Sequence, residues 1–153
     1  MLIKVPSVAN LGLETIKVDV EVNLANRGLP GFEIVGLADK AVAESKERVR
    51  TAISSCGIDF PAKKITVNLA PADVPKEGSL YDLPIAVGVL SSILEFEVPQ
   101  NSLFLGELSF DGSLRHTKGA FLMALFAKEF GFENLFVPKD SANEAAAIKG
   151  LKV

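Results

Sequence analysis

From Leu83 the chain reads Leu-Pro-Ile-Ala-Val-Gly-Val-Leu-Ser-Ser-Ile-Leu, with no charge until Glu95. A helix apolar on nearly all sides has no face to offer water and belongs inside a domain. The rest of the chain must therefore supply elements that cover this segment. The residues leading into it, Pro71 to Tyr81, are rich in breakers, with Pro71, Pro75 and Gly78 interrupting regular structure. Asp82 is placed to cap the first turn, and Pro84 is tolerable there because first-turn amides lack helical partners. A loop carrying Lys76, Glu77, Ser79 and Tyr81 thus sits at the mouth of a buried helix. Helix N-termini carry partial positive charge and attract anions.

Residues 2–10 read as a short strand, and Pro6 points to a sheet edge or a bulge. Ile16, Val18, Val20, Val22 and Leu24 alternate with Lys17, Asp19, Glu21 and Asn23, a strand with one wet face. Asn26 to Gly31 is a turn and Phe32 to Leu37 a third strand, which suggests an antiparallel start. An amphipathic helix follows from about Ala38 to Cys56, stopped by Gly57, and Ile65 to Leu69 is a strand. Beyond the apolar helix, Leu103 to Leu108 reads as a strand and Asp111-Gly112 as a hairpin turn. A helix is expected over about Thr117 to Phe130, a strand over Leu135 to Val137, and a short helix opened by a capping box of Ser141 and Glu144. Strands first, then alternating helices and strands, predict an α/β (α+β) fold with a mixed sheet covered by helices.

A chain of 153 residues, 48% hydrophobic, favours one domain with a real core, residues 1–153. A net charge of -3 gives no global attraction to nucleic acid or anionic membrane. The single cysteine, Cys56, cannot form an internal disulfide, suits a reducing compartment, and reads as a small buried residue. No apolar run spans a membrane and no signal peptide is visible, so the expected location is the cytoplasm, with no membrane partner. No Walker A pattern, dinucleotide fingerprint, HxxxH or CxxC is present, so no metal or cofactor is expected in this segment itself. Gly28-Leu29-Pro30-Gly31 has the outline of a nucleic-acid clamp but reads better as a hairpin turn. Ser79 could act as a nucleophile if a desolvated Lys76 or Lys118 served as its base; otherwise Ser79 is a turn residue and both lysines are solvated.

Four blocks carry a family resemblance: Leu29-Pro-Gly-Phe-Glu-Ile-Val-Gly-Leu, Glu44-Ser-Lys-Glu-Arg-Val-Arg, Ile65 through Ala86, and Gly106-Glu-Leu-Ser-Phe-Asp-Gly-Ser-Leu-Arg. Together they resemble the N-terminal domain of the bacterial magnesium-chelatase-like AAA+ ATPases, the ComM and YifB competence family. The resemblance implies the two-layer fold of the Lon proteolytic domain, shared with small-molecule kinases. It implies a fragment of a longer chain whose ATPase module would hold ATP and magnesium, and the unfinished segment Leu151 to Val153 fits that expectation. It implies partnership with that module, a hexameric homo-oligomeric ring, and a link to DNA branch migration in natural transformation.

The Lon comparison also tests for peptidase chemistry. Pro75-Lys76-Glu77-Gly78 is similar to the Lon loop, but Asp82 stands where the Lon serine is aligned and Phe121 where its lysine is aligned. A carboxylate and a benzyl group cannot serve as nucleophile and base, so the expected role is non-catalytic. The alternative is a Ser-Lys peptidase using Ser79 and Lys118. The expected DNA or partner contacts are Lys76, Ser79 and Asp82 in the loop and Arg115, His116 and Lys118 in the later turn.

Overall fold

The computed structural model describes residues 2–153. A four-stranded mixed sheet holds β1 (Leu2–Leu11), β2 (Glu14–Ala25), β3 (Gly31–Val35) and β4 (Lys64–Ala70), in the spatial order β1-β2-β4-β3. The first two strands form a long antiparallel hairpin, and β2 pairs antiparallel with β4. The expected antiparallel start ends there. β3 does not return beside β2 but crosses the end of β4 and pairs with it in parallel, Phe32 opposite Ile65. The Gly28–Gly31 turn is therefore a crossover around β4, not a hairpin.

The alternation of β2 buries Val18, Val20, Val22 and Leu24. β1 does not alternate: Val5 to Ala9 are all buried. Val5 and Ala9 join the core under the sheet, while Val8 joins a second core, so β1 is a wall between two apolar regions. Pro6 lies on this edge strand, as its missing N–H requires.

The apolar segment is α3 (Asp82–Leu94), packed across β1 and β2. The amphipathic segment divides into α1 (Lys40–Ala43) and α2 (Ser45–Ser55), and α2 packs on α3 through Val49, Ala52 and Ile53. Gly57 takes φ +78 after α2, the left-handed turn expected of a helix stop. Cys56 is exposed, contrary to the expectation of burial, because it follows the last turn of α2 and not its core face.

The predicted strand over 103–108 is broken by Leu105-Gly106 into β5 (Ser102–Phe104) and β6 (Glu107–Leu108). β6 pairs with β7 (Leu114–Arg115) across the Asp111-Gly112 turn. The second core lies among β5, its parallel partner β8 (Asn134–Phe136), α4 (Ala120–Glu129) and α5 (Ala142–Ala145), which follows a 3-10 turn at Lys139–Ser141. Ser7 joins the two cores by donating to the Phe104 carbonyl at 2.8 Å. Among the described residues no helix is long and apolar enough to cross a membrane.

Candidate functional site

The loop from Pro71 to Tyr81 is held from within. The backbone of Lys76 exchanges hydrogen bonds with Leu37 and Asp39. Its side chain is fully buried, and its amine donates to the Gly36 carbonyl at 2.8 Å and to the Pro71 carbonyl. Loss of solvation lowers the pKa of that amine. Lys76 is thus not an exposed contact for DNA or a partner: two inward-facing carbonyls need a donor, and its stem spans the space to them. Tyr81 anchors the other end, donating its hydroxyl to the Val8 carbonyl at 2.9 Å. Burial pushes the pKa of this phenol well above its usual value.

Asp82 is also removed from the surface, at zero exposure. It does not cap α3, which has no side-chain cap at its N-terminus. Its carboxylate turns sideways and accepts from Arg48 Nε at 2.6 Å, Arg48 Nη2 at 3.1 Å, the Ser45 hydroxyl, and the Leu108 N–H at 3.0 Å. Burial pushes its pKa up against the pull of Arg48, Ser45 and Leu108. Arg48 is raised by its bond to Asp82. This cluster ties α2, α3 and β6 together, and it leaves Asp82 no lone pair free for a ligand. Arg48 and Ser45 were visible in the sequence only as members of the Glu44–Arg50 block, where nothing marked them as partners of Asp82.

What remains open is a cleft of about 320 Å³ lined by Gly78, Ser79, Leu80, Glu107, His116, Thr117 and Lys118. The fold thus brings Ser79, His116 and Lys118, predicted from separate stretches, to one place. Arg115 stands at its edge, with Nε 3.8 Å from Glu107 Oε1. Ser79 is half-buried and donates its hydroxyl to Glu107 Oε2 at 2.6 Å. Glu107, missed as a site residue, is positioned by the short β6–β7 hairpin. The opposite wall is pinned by Ser141, whose hydroxyl accepts from Thr117 N–H at 2.8 Å and donates to its carbonyl at 3.2 Å. Ser141 therefore does not form the expected capping box, and α5 begins without a side-chain cap. His116 lies 3.4 Å from Glu144. Phe121 does not line the cleft; it stands on the exposed side of α4, which begins at Ala120 and not at the expected Thr117.

The cleft can bind an anion through Lys118, His116 and Arg115, or hold a carbonyl near Ser79. Among the described residues no three His, Cys, Asp or Glu side chains converge to hold a metal ion.

Residues 20–141 match the family model described as subunit ChlI of Mg-chelatase. The chain is 42% identical over 142 residues to the competence protein ComM of Haemophilus influenzae, covering 92% of this chain and 28% of that protein. It is 43% identical over 146 residues to YifB of Escherichia coli, covering 93% and 28%. It is 42% identical over 149 residues to a Mycobacterium tuberculosis protein of uncharacterised function, covering 96% and 29%. The chain spans less than a third of the length of these curated relatives.

Proposed function

Since the chain belongs to the family of subunit ChlI of Mg-chelatase and is ComM-like, we propose that it is a Lon-like, non-catalytic accessory domain of a AAA+ ATPase. On this reading it assists ring assembly and engages DNA while the ATPase drives branch migration during natural transformation. The observation that carries the non-catalytic part is Asp82. It occupies the position the Lon resemblance gives to the nucleophile, and all its acceptor capacity is spent on Arg48, Ser45 and Leu108. ATP and magnesium belong, on this reading, to the ATPase module; this sequence has no phosphate-binding glycine loop to hold them.

The DNA contact is assigned to the turn at Arg115, His116 and Lys118, with Ser79 at its margin. Arg115, His116 and Lys118 are exposed; the guanidinium and the ammonium are cations that phosphate oxygens favour, and the imidazole adds a polar contact. The test is binding of duplex and branched DNA by this chain across a salt series. Each phosphate contact adds about one unit to the slope of log affinity against log salt. Arg115→Ala and Lys118→Ala should each reduce that slope by about one. No binding at low salt, or binding indifferent to both substitutions, would reject the assignment.

A second reading is favoured by one contact: the Ser79 hydroxyl donates to Glu107 in a cleft that also holds His116 and Lys118. On this reading Ser79 would be the nucleophile and Lys118, which lines the same cleft, its base. A serine-reactive phosphonate probe distinguishes the two. Covalent labelling abolished by Ser79→Ala would install the hydrolase and remove the accessory domain.

A further inference from the structure

The turn from Arg27 to Gly31, which carries the chain across the end of β4, lies at the surface, and Leu29 is 87% exposed. Its ends are fixed. Ala25 and Gly31 both stand opposite Lys64, and the Gly31 N–H donates to the Lys63 carbonyl at 3.3 Å. Between those ends, no hydrogen-bond partner is found among the described residues for the main-chain N–H groups of Arg27, Gly28 and Leu29. The turn, with Glu33 and Lys64, borders an open concavity of about 530 Å³. We propose that this turn clamps the sugar-phosphate backbone of a single-stranded nucleic acid. The proposal stands on the turn alone and not on the contact assigned to the cleft beside Ser79.

The first observation is charge. Arg27, Lys63 and Lys64 are exposed and gathered at one end of β4, and among the described residues none of them makes an ion pair. Glu33 is the one carboxylate bordering the concavity. This excess of cations runs against a chain whose net charge is -3. Cationic side chains and free main-chain N–H groups are the donors that position phosphate oxygens.

The second is access. Gly28 takes φ +88, and a Cβ added at Gly28 or at Gly31 would meet no atom within 4 Å. The main chain is therefore bare where a ligand can approach it closely. The hairpin that weighed against a clamp in the sequence is absent, because the turn leads across β4 and not back beside β2. A glycine-bounded turn of this length can hold about four nucleotides by their backbone.

The third is the lining, which selects among anions. A lone phosphate, at a few times the roughly 30 Å³ of a water, would leave most of the concavity empty. A bilayer or an apolar protein surface calls for several large apolar side chains, and Leu29 is the one large apolar residue on this rim. A single strand bends into a concavity that a stiff duplex would span without entering. No aromatic ring borders the site, so bases are not stacked and the strand is held without regard to its sequence.

The experiment is fluorescence anisotropy of a labelled oligothymidylate of about 12 nucleotides, titrated with this chain from about 50 to 200 mM salt. Arg27→Ala and Lys64→Ala should each lower the slope of log affinity against log salt by about 0.7, the single-strand value per phosphate. Arg27→Lys should keep the slope, because the charge remains. Glu33→Gln should tighten binding about threefold by removing a charge of the phosphate's own sign. Lys152→Ala, exposed beside β8, should change nothing. Arg115→Ala and Lys118→Ala report separately on the cleft. A loss confined to those two overturns this inference and leaves the cleft reading intact; a loss confined to Arg27→Ala and Lys64→Ala does the reverse. No binding at low salt, a duplex bound as tightly as the single strand, or equal competition by an oligoglutamate each overturns the clamp. Phosphatidylglycerol vesicles bound in place of the oligonucleotide would overturn it too, and assign the turn to a membrane surface.

Discussion

Replacing Asp82 by alanine should be the most damaging single change in the loop-to-helix junction. Asp82, in α3, is fully buried and receives four donor groups from two other elements, α2 and β6. The alanine variant leaves the Leu108 N–H without its acceptor, which costs about 1–3 kcal/mol when buried. It also strands Arg48, whose side chain is 17% exposed and keeps its bond to the Ala41 carbonyl. That partial access to water reduces the loss below that of a sealed charge. Breaking a buried ion pair costs about 3–5 kcal/mol overall, and the lower half of that range is expected here. For a domain of this size each kcal/mol lowers Tm by about 2–4 °C, so a fall of about 10 °C is predicted. Urea and thermal unfolding followed by circular dichroism would measure it. Arg48→Met and the double variant complete a cycle in which a coupling of about 2 kcal/mol is expected. A loss below about 1 kcal/mol for Asp82→Ala would show that the cluster does not join α2, α3 and β6 as argued.

Three further outcomes follow from the same geometry. Burial raises the Asp82 pKa above its ordinary value of 3.8, so its contribution to stability is full below that pH and declines as pH climbs toward the folded-state value; the wild-type advantage over Asp82→Asn should shrink across that window in urea titrations, and an advantage that grows with pH would contradict the sign. Lys76→Ala should leave the Gly36 and Pro71 carbonyls without a donor and cost about 2–4 kcal/mol, with amide exchange accelerating in residues 71–80; a neutral effect would mean the amine is dispensable to the loop. Gly88→Ala should destabilise despite its better helix propensity, because the new Cβ would lie 2.5 Å from a methyl of Val22 where α3 crosses β2; a net loss of about 1–2 kcal/mol is expected in chemical denaturation, and a gain would place α3 farther from the sheet.

The parts of the fold legible in the sequence are those whose physics is local. The alternation of β2, the apolar run of α3 and the turn at Asp111-Gly112 each state their structure within a dozen residues. β3 was legible as a strand but not as the parallel neighbour of β4, since pairing depends on where a later segment lies. The same limit governs the site. Lys76 and Asp82 read as exposed polar groups because loops with charges usually face water. Their partners, the Gly36 carbonyl and Arg48, lie 40 and 34 residues away. No local pattern reports such a partner, and the charge of a side chain is the same whether it meets solvent or a buried counterpart.

This inversion has a mechanical consequence for the cleft. Because Lys76 and Asp82 are consumed inside, the residues between them, Gly78 to Leu80, are clamped at both ends. The wall that carries Ser79 cannot swing away from Glu107 without breaking a buried ion pair or the hydrogen bonds of a buried lysine amine. The opposing wall is fixed by Ser141 on both polar atoms of the Thr117 backbone. A cleft braced on both sides binds through its existing shape. A ligand that needed the walls to part would have to work against the few kcal/mol that each brace supplies.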